Sequence, residues 1–200
     1  MKKVDQKSEP VLPPAVLVHA CCAPCATVAV QRLAGRCRLV FFFYGPNIHP
    51  AAEYRRRLGE MQKLCAHYRL QMIEGAYQPA RWGRAIAPWR HLPEGSERCR
   101  ACYRLRMEET ARLAQQEGIP AFTVTLSVSR HKNSRVLGEI GREVAAAAGL
   151  EYLDMDFKKQ DGFGQSVRLS AELGLYRQDY CGCALSHSEA LRRRARRSMR

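Results

Sequence analysis

The chain has 200 residues, 46% of them hydrophobic, which is enough apolar material for one packed domain and excludes disordered and fibrous classes. Lys and Arg outnumber Asp and Glu by 33 to 19, and the net charge of +14 points to a polyanionic partner, most simply nucleic acid. Nine cysteines, an odd number in a chain of this length, do not suit a secreted disulfide framework and favour metal binding or redox chemistry in a reducing compartment.

In chain order, residues 1–14 read as a flexible N-terminal segment, 15–190 as a single domain and 191–200 as a basic tail. No apolar run reaches the ~20 residues that span a bilayer. Pro13 and Pro14 break the first apolar stretch, and His19 stands where an export cleavage site needs a small residue, so the expected compartment is the cytoplasm, with no membrane partner. Residues 15–19 form a short apolar run typical of a buried strand, followed at once by cysteines. Val28, Val30 and Leu33 before Gly35 predict a short helix from Thr27, and residues 38–43 a second buried strand. Turn formers fill 44–50, after which Tyr54, Leu58, Met61, Leu64 and Cys65 give helical spacing over 52–68 and a strand follows at 70–73.

Pro79, Pro88 and Pro93 make 78–95 irregular or only locally helical. A long helix is expected over 100–116 with a stop at Gly118, a strand over 121–126, a helix over 134–148 with a stop at Gly149, and a last short strand at 151–153. Strands alternating with helices predict an α/β fold, a Rossmann-like, mostly parallel sheet with helices on both faces. Ligands of such sheets sit outside the carboxyl ends of strands, and two of those ends carry unusual chemistry: His19-Ala-Cys-Cys-Ala-Pro-Cys25 and Tyr44-Gly-Pro-Asn-Ile-His-Pro50.

Cys37 and Cys65 stand alone in apolar patterns and read as core, leaving Cys21, Cys22, Cys25, Cys99, Cys102, Cys181 and Cys183 in three clusters. One tetrahedral zinc or one [4Fe-4S] cluster uses four thiolates, so seven are too many for one site and too few for two closed ones. A cluster beside a second, incompletely ligated metal fits the count. Two alternatives stay open on spacing alone. Cys99/Cys102 with Cys181/Cys183 suits a zinc staple in a nucleic-acid-binding protein, and Cys22-Ala-Pro-Cys25 after a strand suits a thiol oxidoreductase with redox cysteines or a disulfide.

Five motifs together resemble one family. They are His19-x-Cys-Cys-Ala-Pro-Cys25, Tyr44-x-Pro-Asn-Ile-His-Pro-x-x-Glu-Tyr54, Cys99-x-x-Cys-Tyr-x-x-Arg106, Asp156-Phe157 and Leu175-Tyr-Arg-Gln-x-Tyr-Cys-Gly-Cys183. In this order they are similar to the QueH family of epoxyqueuosine reductases. The resemblance extends from Val16 to Ser188, with Gly45, Arg130 and Lys158 standing where the pattern has Asn, Pro and Arg.

The resemblance implies cobalamin-independent reduction of epoxyqueuosine to queuosine at the wobble position of tRNA, the last step of queuosine biosynthesis. It further implies a fold related to adenine nucleotide α-hydrolases, a [4Fe-4S] cluster with an adjacent mononuclear iron or other divalent metal, and an external electron donor. Cys21, Cys22, Cys99, Cys102, Cys181 and Cys183 are then the cluster-side candidates, Cys25 joining them as a metal ligand, with Cys99 and Cys102 on the cluster.

Epoxide opening needs an electrophile, electrons and protons, for which Asp156, Tyr176, Arg177 and Tyr180 are the catalytic candidates. His19, Asn47, His49, Glu53 and Gln178 are the substrate-side candidates. Basic stripes at 55–57, 98–106, 130–135 and 192–200 are expected to dock RNA phosphates, with the wobble nucleoside extruded into the metal pocket.

Overall fold

The computed structural model describes residues 12–198. Most of the 1–14 segment and the last two residues of the basic tail lie outside that range. Strands β1 (Ala15–Ala20) and β2 (Arg38–Phe43) are apolar on both faces, as central strands of a parallel sheet covered by helices must be. With β3 (Gln71–Glu74), β4 (Ala121–Val124) and β5 (Glu151–Tyr152) they form a five-stranded, all-parallel sheet in the order β3-β2-β1-β4-β5. The register pairs Val16 with Leu39 on one side and with Ala121 on the other, so β1 is the central strand.

Helices α1 (Ala23–Leu33) and α2 (Ala51–His67) are the crossovers on one side of β1, and α4 (Glu97–Gln116) and α5 (Ser134–Ala148) those on the other. Right-handed connections therefore place the two pairs on opposite faces of the sheet. α1 packs on α2 and α6 (Gly162–Glu172), and α4 packs on α5 and α3 (Pro79–Ile86). The last helix, α7 (Ala184–Ser198), carries the basic tail as far as it is described. Asn133 caps α5 by accepting from the Arg135 and Val136 amides, and Gly149 ends it in a left-handed conformation.

The expected α/β fold is observed, with local differences. α1 begins at Ala23 rather than Thr27, because Pro24 in the first turn presets its φ and lacks an amide that would go unpaired there. β4 ends at Val124 and turns into a 3-10 segment over Thr125–Val128, and α3 occupies part of the proline-broken stretch. α6 has no counterpart in the periodicity. Its buried positions, Gly162, Ser166 and Ser170, are spaced like a helix face but are not hydrophobic.

That face is small because α6 lies against α1 and the chain before it. A Cβ on Gly162 would sit 1.7 Å from the Phe157 carbonyl oxygen. Gly162→Ala is accordingly expected to cost about 1–3 kcal/mol, read as a lower urea midpoint at unchanged slope.

Candidate active site

The sheet order reverses beside β1, and the crevice outside the carboxyl ends of β1 and β4 holds a cavity of about 500 Å³. The turn after β1 contributes Cys21, Cys22 and Cys25 to its wall, the turn after β4 contributes Thr125 and Leu126, and the 177–181 segment contributes Cys181. The central strand thus delivers the first cysteine motif to the switch point. The remaining clustered thiols gather behind Cys181: Cys102 is close enough to Cys181 and Cys183 to interact electrostatically, and Tyr103 faces Cys99, Cys102 and Cys181. Three clusters whose outermost members, Cys21 and Cys183, are 162 positions apart in the sequence thus approach one another. Cys65 is core in α2, and half-buried Cys37 packs against the core.

All nine cysteines are free thiols. Cys21 donates to Cys22 and is buried, which pushes its thiol far up. Cys22 accepts from Cys21, yet its donation to Cys25 and its burial push it up to about 11, while Cys25, accepting from Cys22, is lowered. Cys102 is pushed up to about 11 by burial. Cys22 is the N-cap residue of α1. Among the described residues, no group of three or more Cys, His, Asp or Glu side chains stands in a geometry ready to hold a metal ion.

The charge around the thiols is the more informative feature. Cys99, Cys102 and Arg106 lie at i, i+3 and i+7 of α4, on one helix face. Arg106 is fully buried and faces Cys21, Cys102 and Cys181; its Nε donates to His19 Nε2 at 3.2 Å and one guanidinium nitrogen has no partner. Lys132 is buried too, with Nζ donating to Cys181 Sγ at 3.4 Å. Burial alone would lower its pKa, but Cys181, Tyr103 and Cys21 around it raise it. Among the described residues, neither cation hydrogen bonds to a carboxylate or forms an ion pair with one. An unpaired buried charge costs several kcal/mol, so this donor set suits thiolates carrying negative charge, as they do when bound to iron or an iron-sulfur cluster.

The segment 176–183 is held by α2. Arg57 is buried, ion-paired to Glu53 at 2.7 Å, and donates to the carbonyls of Tyr180 and Cys181 at 3.2 Å each. Gly182 adopts φ +125, and a side chain there would come within 3.1 Å of Arg57 Nη1, which explains the glycine between the last two cysteines. The Glu53 carboxylate also accepts from the Tyr176 hydroxyl, and Glu60 accepts from the Tyr176 amide at 2.9 Å. Tyr180 lines the cavity with its hydroxyl donating to the His49 carbonyl at 2.6 Å, and the His49 amide donates to Gly182. The two motifs at 44–50 and 175–183 are thereby stitched together.

The other candidates divide. Arg177 and Gln178 line the cavity; Arg177 is fixed by Ser166 and Ser170, and the Gln178 Oε1 is buried without a partner. Asp156 is not in the cavity wall, and its carboxylate accepts from the Lys158 amide. His19 is buried in β1; its Nε2 accepts from Arg106 Nε in one tautomer and donates to the Tyr44 carbonyl, 2.9 Å away, only in the other, and burial and Arg106 push its pKa well down. Asn47 is buried with both amide atoms unpartnered, and His49 is exposed and engaged through its backbone.

The basic stripes need correction. Arg57, Arg98, Arg106 and Lys132 are buried, and Arg100 and Arg104 are paired with Glu97, Glu139 and Glu143, so charge runs read as phosphate contacts are in part internal. Arg57, Arg106 and Lys132 were not among the site candidates. A signal existed for Arg106, which shares the helix face of Cys99 and Cys102; none existed for Lys132.

A doubly wound sheet whose switch-point crevice is lined by thiols and backed by buried cations defines an α/β enzyme of cysteine-based chemistry. Comparison with known proteins narrows that class. The sequence model of the family described as epoxyqueuosine reductase QueH matches residues 16–189. Proteins described as epoxyqueuosine reductase QueH are 35% identical in Streptococcus pyogenes serotype M1, over 92% of this chain and 73% of the relative, and 35% identical in Thermotoga maritima, over 90% and 97%. A Haemophilus influenzae relative of the same description is 31% identical over 86% of this chain and 71% of its own length. The chain belongs to the epoxyqueuosine reductase QueH family and is an oxidoreductase of queuosine biosynthesis. Among the described residues, no helix is long and apolar enough to cross a membrane.

The link between Glu60 and the Tyr176 amide makes the site's frame sensitive to acid. Burial pushes the Glu60 carboxyl up, but Lys63 and the Tyr176 amide outweigh it and leave the pKa below its ordinary value. A carboxyl depressed in the folded state stabilises above its unfolded pKa of ~4.3, and that contribution is lost as pH falls through the folded value. Glu60→Gln should lower the melting temperature at pH 7 and flatten its decline between pH 6 and pH 3, measured by calorimetry.

Proposed function

We propose that the chain reduces epoxyqueuosine to queuosine at the wobble position of tRNA, without cobalamin, in the thiol-lined cavity beside β1. The observation that carries this is a crevice of the sheet lined by Cys21, Cys22, Cys25 and Cys181, with Cys102 and Cys183 near Cys181 and two buried, carboxylate-free cations beside these thiols. The net reaction adds two electrons and two protons, leaving a C=C bond where the epoxide stood and releasing its oxygen as water. The electrons come from an external one-electron donor.

Cys21, Cys22, Cys25, Cys99, Cys102, Cys181 and Cys183 are the residues that would hold a [4Fe-4S] cluster and an adjacent iron or other divalent metal. When bound, these groups supply one-electron transfer and Lewis acidity. The protein's own groups do the rest. Arg106 and Lys132 balance the thiolate charge. Lys132, in the cavity wall beside Cys181, also meets the negative charge that develops on the departing oxygen. Arg57 fixes the two carbonyls flanking Cys181 and so sets where that sulfur points. Tyr180, on the wall with its proton shared with the His49 carbonyl, is the candidate proton donor best placed in the cavity. Arg177 and Gln178 line the same space and contact substrate.

Anaerobically reconstituted protein given a strong one-electron reductant should convert epoxyqueuosine tRNA to queuosine tRNA, read by nucleoside mass spectrometry. Absence of conversion by protein with full iron and sulfide content refutes the proposal, as does a colourless protein carrying stoichiometric zinc. Lys132→Met should lower turnover by about a hundred-fold at equal loading. Arg106→Met should lose iron faster to a chelator than the unsubstituted protein.

A further inference from the structure

Part of the cavity wall has no role in the chemistry above. Phe163, the second residue of α6, is half-buried and lines the cavity together with the thiols of Cys21, Cys25 and Cys181. The guanidinium of Arg130 lies over its ring, 3.9 Å from the centroid. Arg130 is exposed and, among the described residues, has no hydrogen bond or ion pair, so the ring is its one specific contact. Arg177, which also approaches the ring at 5.7 Å, is by contrast tied to Ser166 and Ser170. Gln178 lines the same cavity with a buried, unpartnered Oε1.

A flat aromatic face bearing a loosely held planar cation, next to an unpaired carbonyl acceptor, suits a planar heterocycle with N–H donors on its edge. The base of the wobble nucleoside is such a group: it is guanine-like, with an N1–H and a 2-amino group on one edge. Its epoxide-bearing ring hangs from the base on a short amine arm, so a base held away from the thiols can still present the epoxide to them. A cavity of about 500 Å³ has room for both parts.

Building on the reaction proposed above, we infer that Phe163 is the stacking platform for the extruded base, that Gln178 Oε1 accepts from its N–H edge, and that Arg130 occupies the platform until the base displaces it. These three are binding residues that position the substrate. The platform gives the enzyme a purchase on the nucleoside that is independent of phosphate contacts.

The test uses reconstituted full-length protein. In Phe163→Trp, fluorescence should be quenched by an anticodon stem-loop RNA with guanine at the wobble position and not by the same RNA with an abasic wobble site, beyond any change in the unsubstituted protein from Trp82 and Trp89. Phe163→Leu should lower kcat/KM by about ten- to a hundred-fold through KM, at unchanged iron content, while Phe163→Tyr retains activity. Gln178→Leu should raise KM without lowering the melting temperature, an outcome a purely structural glutamine would not give. Arg130→Ala should bind the free nucleoside about two- to five-fold more tightly. If the unsubstituted protein reduces its substrate and Phe163→Leu does so equally well, or if quenching does not depend on the wobble base, the platform is overturned. Failure of the unsubstituted protein to reduce epoxyqueuosine overturns the reaction itself instead.

Discussion

Charge balance in a dry place is the constraint on which the site depends. Arg106 and Lys132 are buried beside Cys21, Cys102 and Cys181, and neither is paired with a carboxylate among the described residues. Such an arrangement is stable only when the neighbouring sulfurs carry negative charge. Burial pushes the Cys21, Cys22 and Cys102 thiols up, and hydrogen bonding among the first cluster adds to this at Cys21. A metal centre that draws off those protons is the group the proposed function places beside these cations.

The scaffold meets the constraint with few parts. β1, buried on both faces, ends at the switch point of the sheet and hands over the first three thiols. α4 brings Cys99, Cys102 and Arg106 on one face from the other side of the sheet. The last thiols arrive on a segment with little regular structure, and α2 supplies its rigidity through Arg57, Glu53 and Glu60. Arg57 acts as the hub of that clamp because one guanidinium can serve a carboxylate and two carbonyls at once.

Legibility in the sequence followed the kind of signal involved. Strands with continuous apolar runs and helices with apolar periodicity, such as β1, β2, α2 and α5, were readable to within a few residues. α6 was not, because a face of Gly162, Ser166 and Ser170 that packs closely on α1 carries no hydrophobic period. Its absence from the sequence reading also hid Phe163. The clustered cysteines were legible by type and spacing. The stripe at 98–106 misled, since a run of arginines looks the same whether it faces water or a buried thiolate.

The sequence by itself determined the alternation of strands and helices, the core role of Cys65 and the grouping of seven cysteines into three clusters, because these depend on local pattern and residue chemistry. Only the tertiary structure decided that the first cysteine cluster and Cys181 line one crevice with Cys102 and Cys183 near Cys181, that Arg57, Arg106 and Lys132 turn inward, and that Arg177, Gln178 and Tyr180 reach the cavity while Asp156 does not. The physical reason is that burial and charge pairing are set by contacts between residues distant in the chain, such as Arg57 and Cys181, 124 positions apart, and no local pattern encodes them.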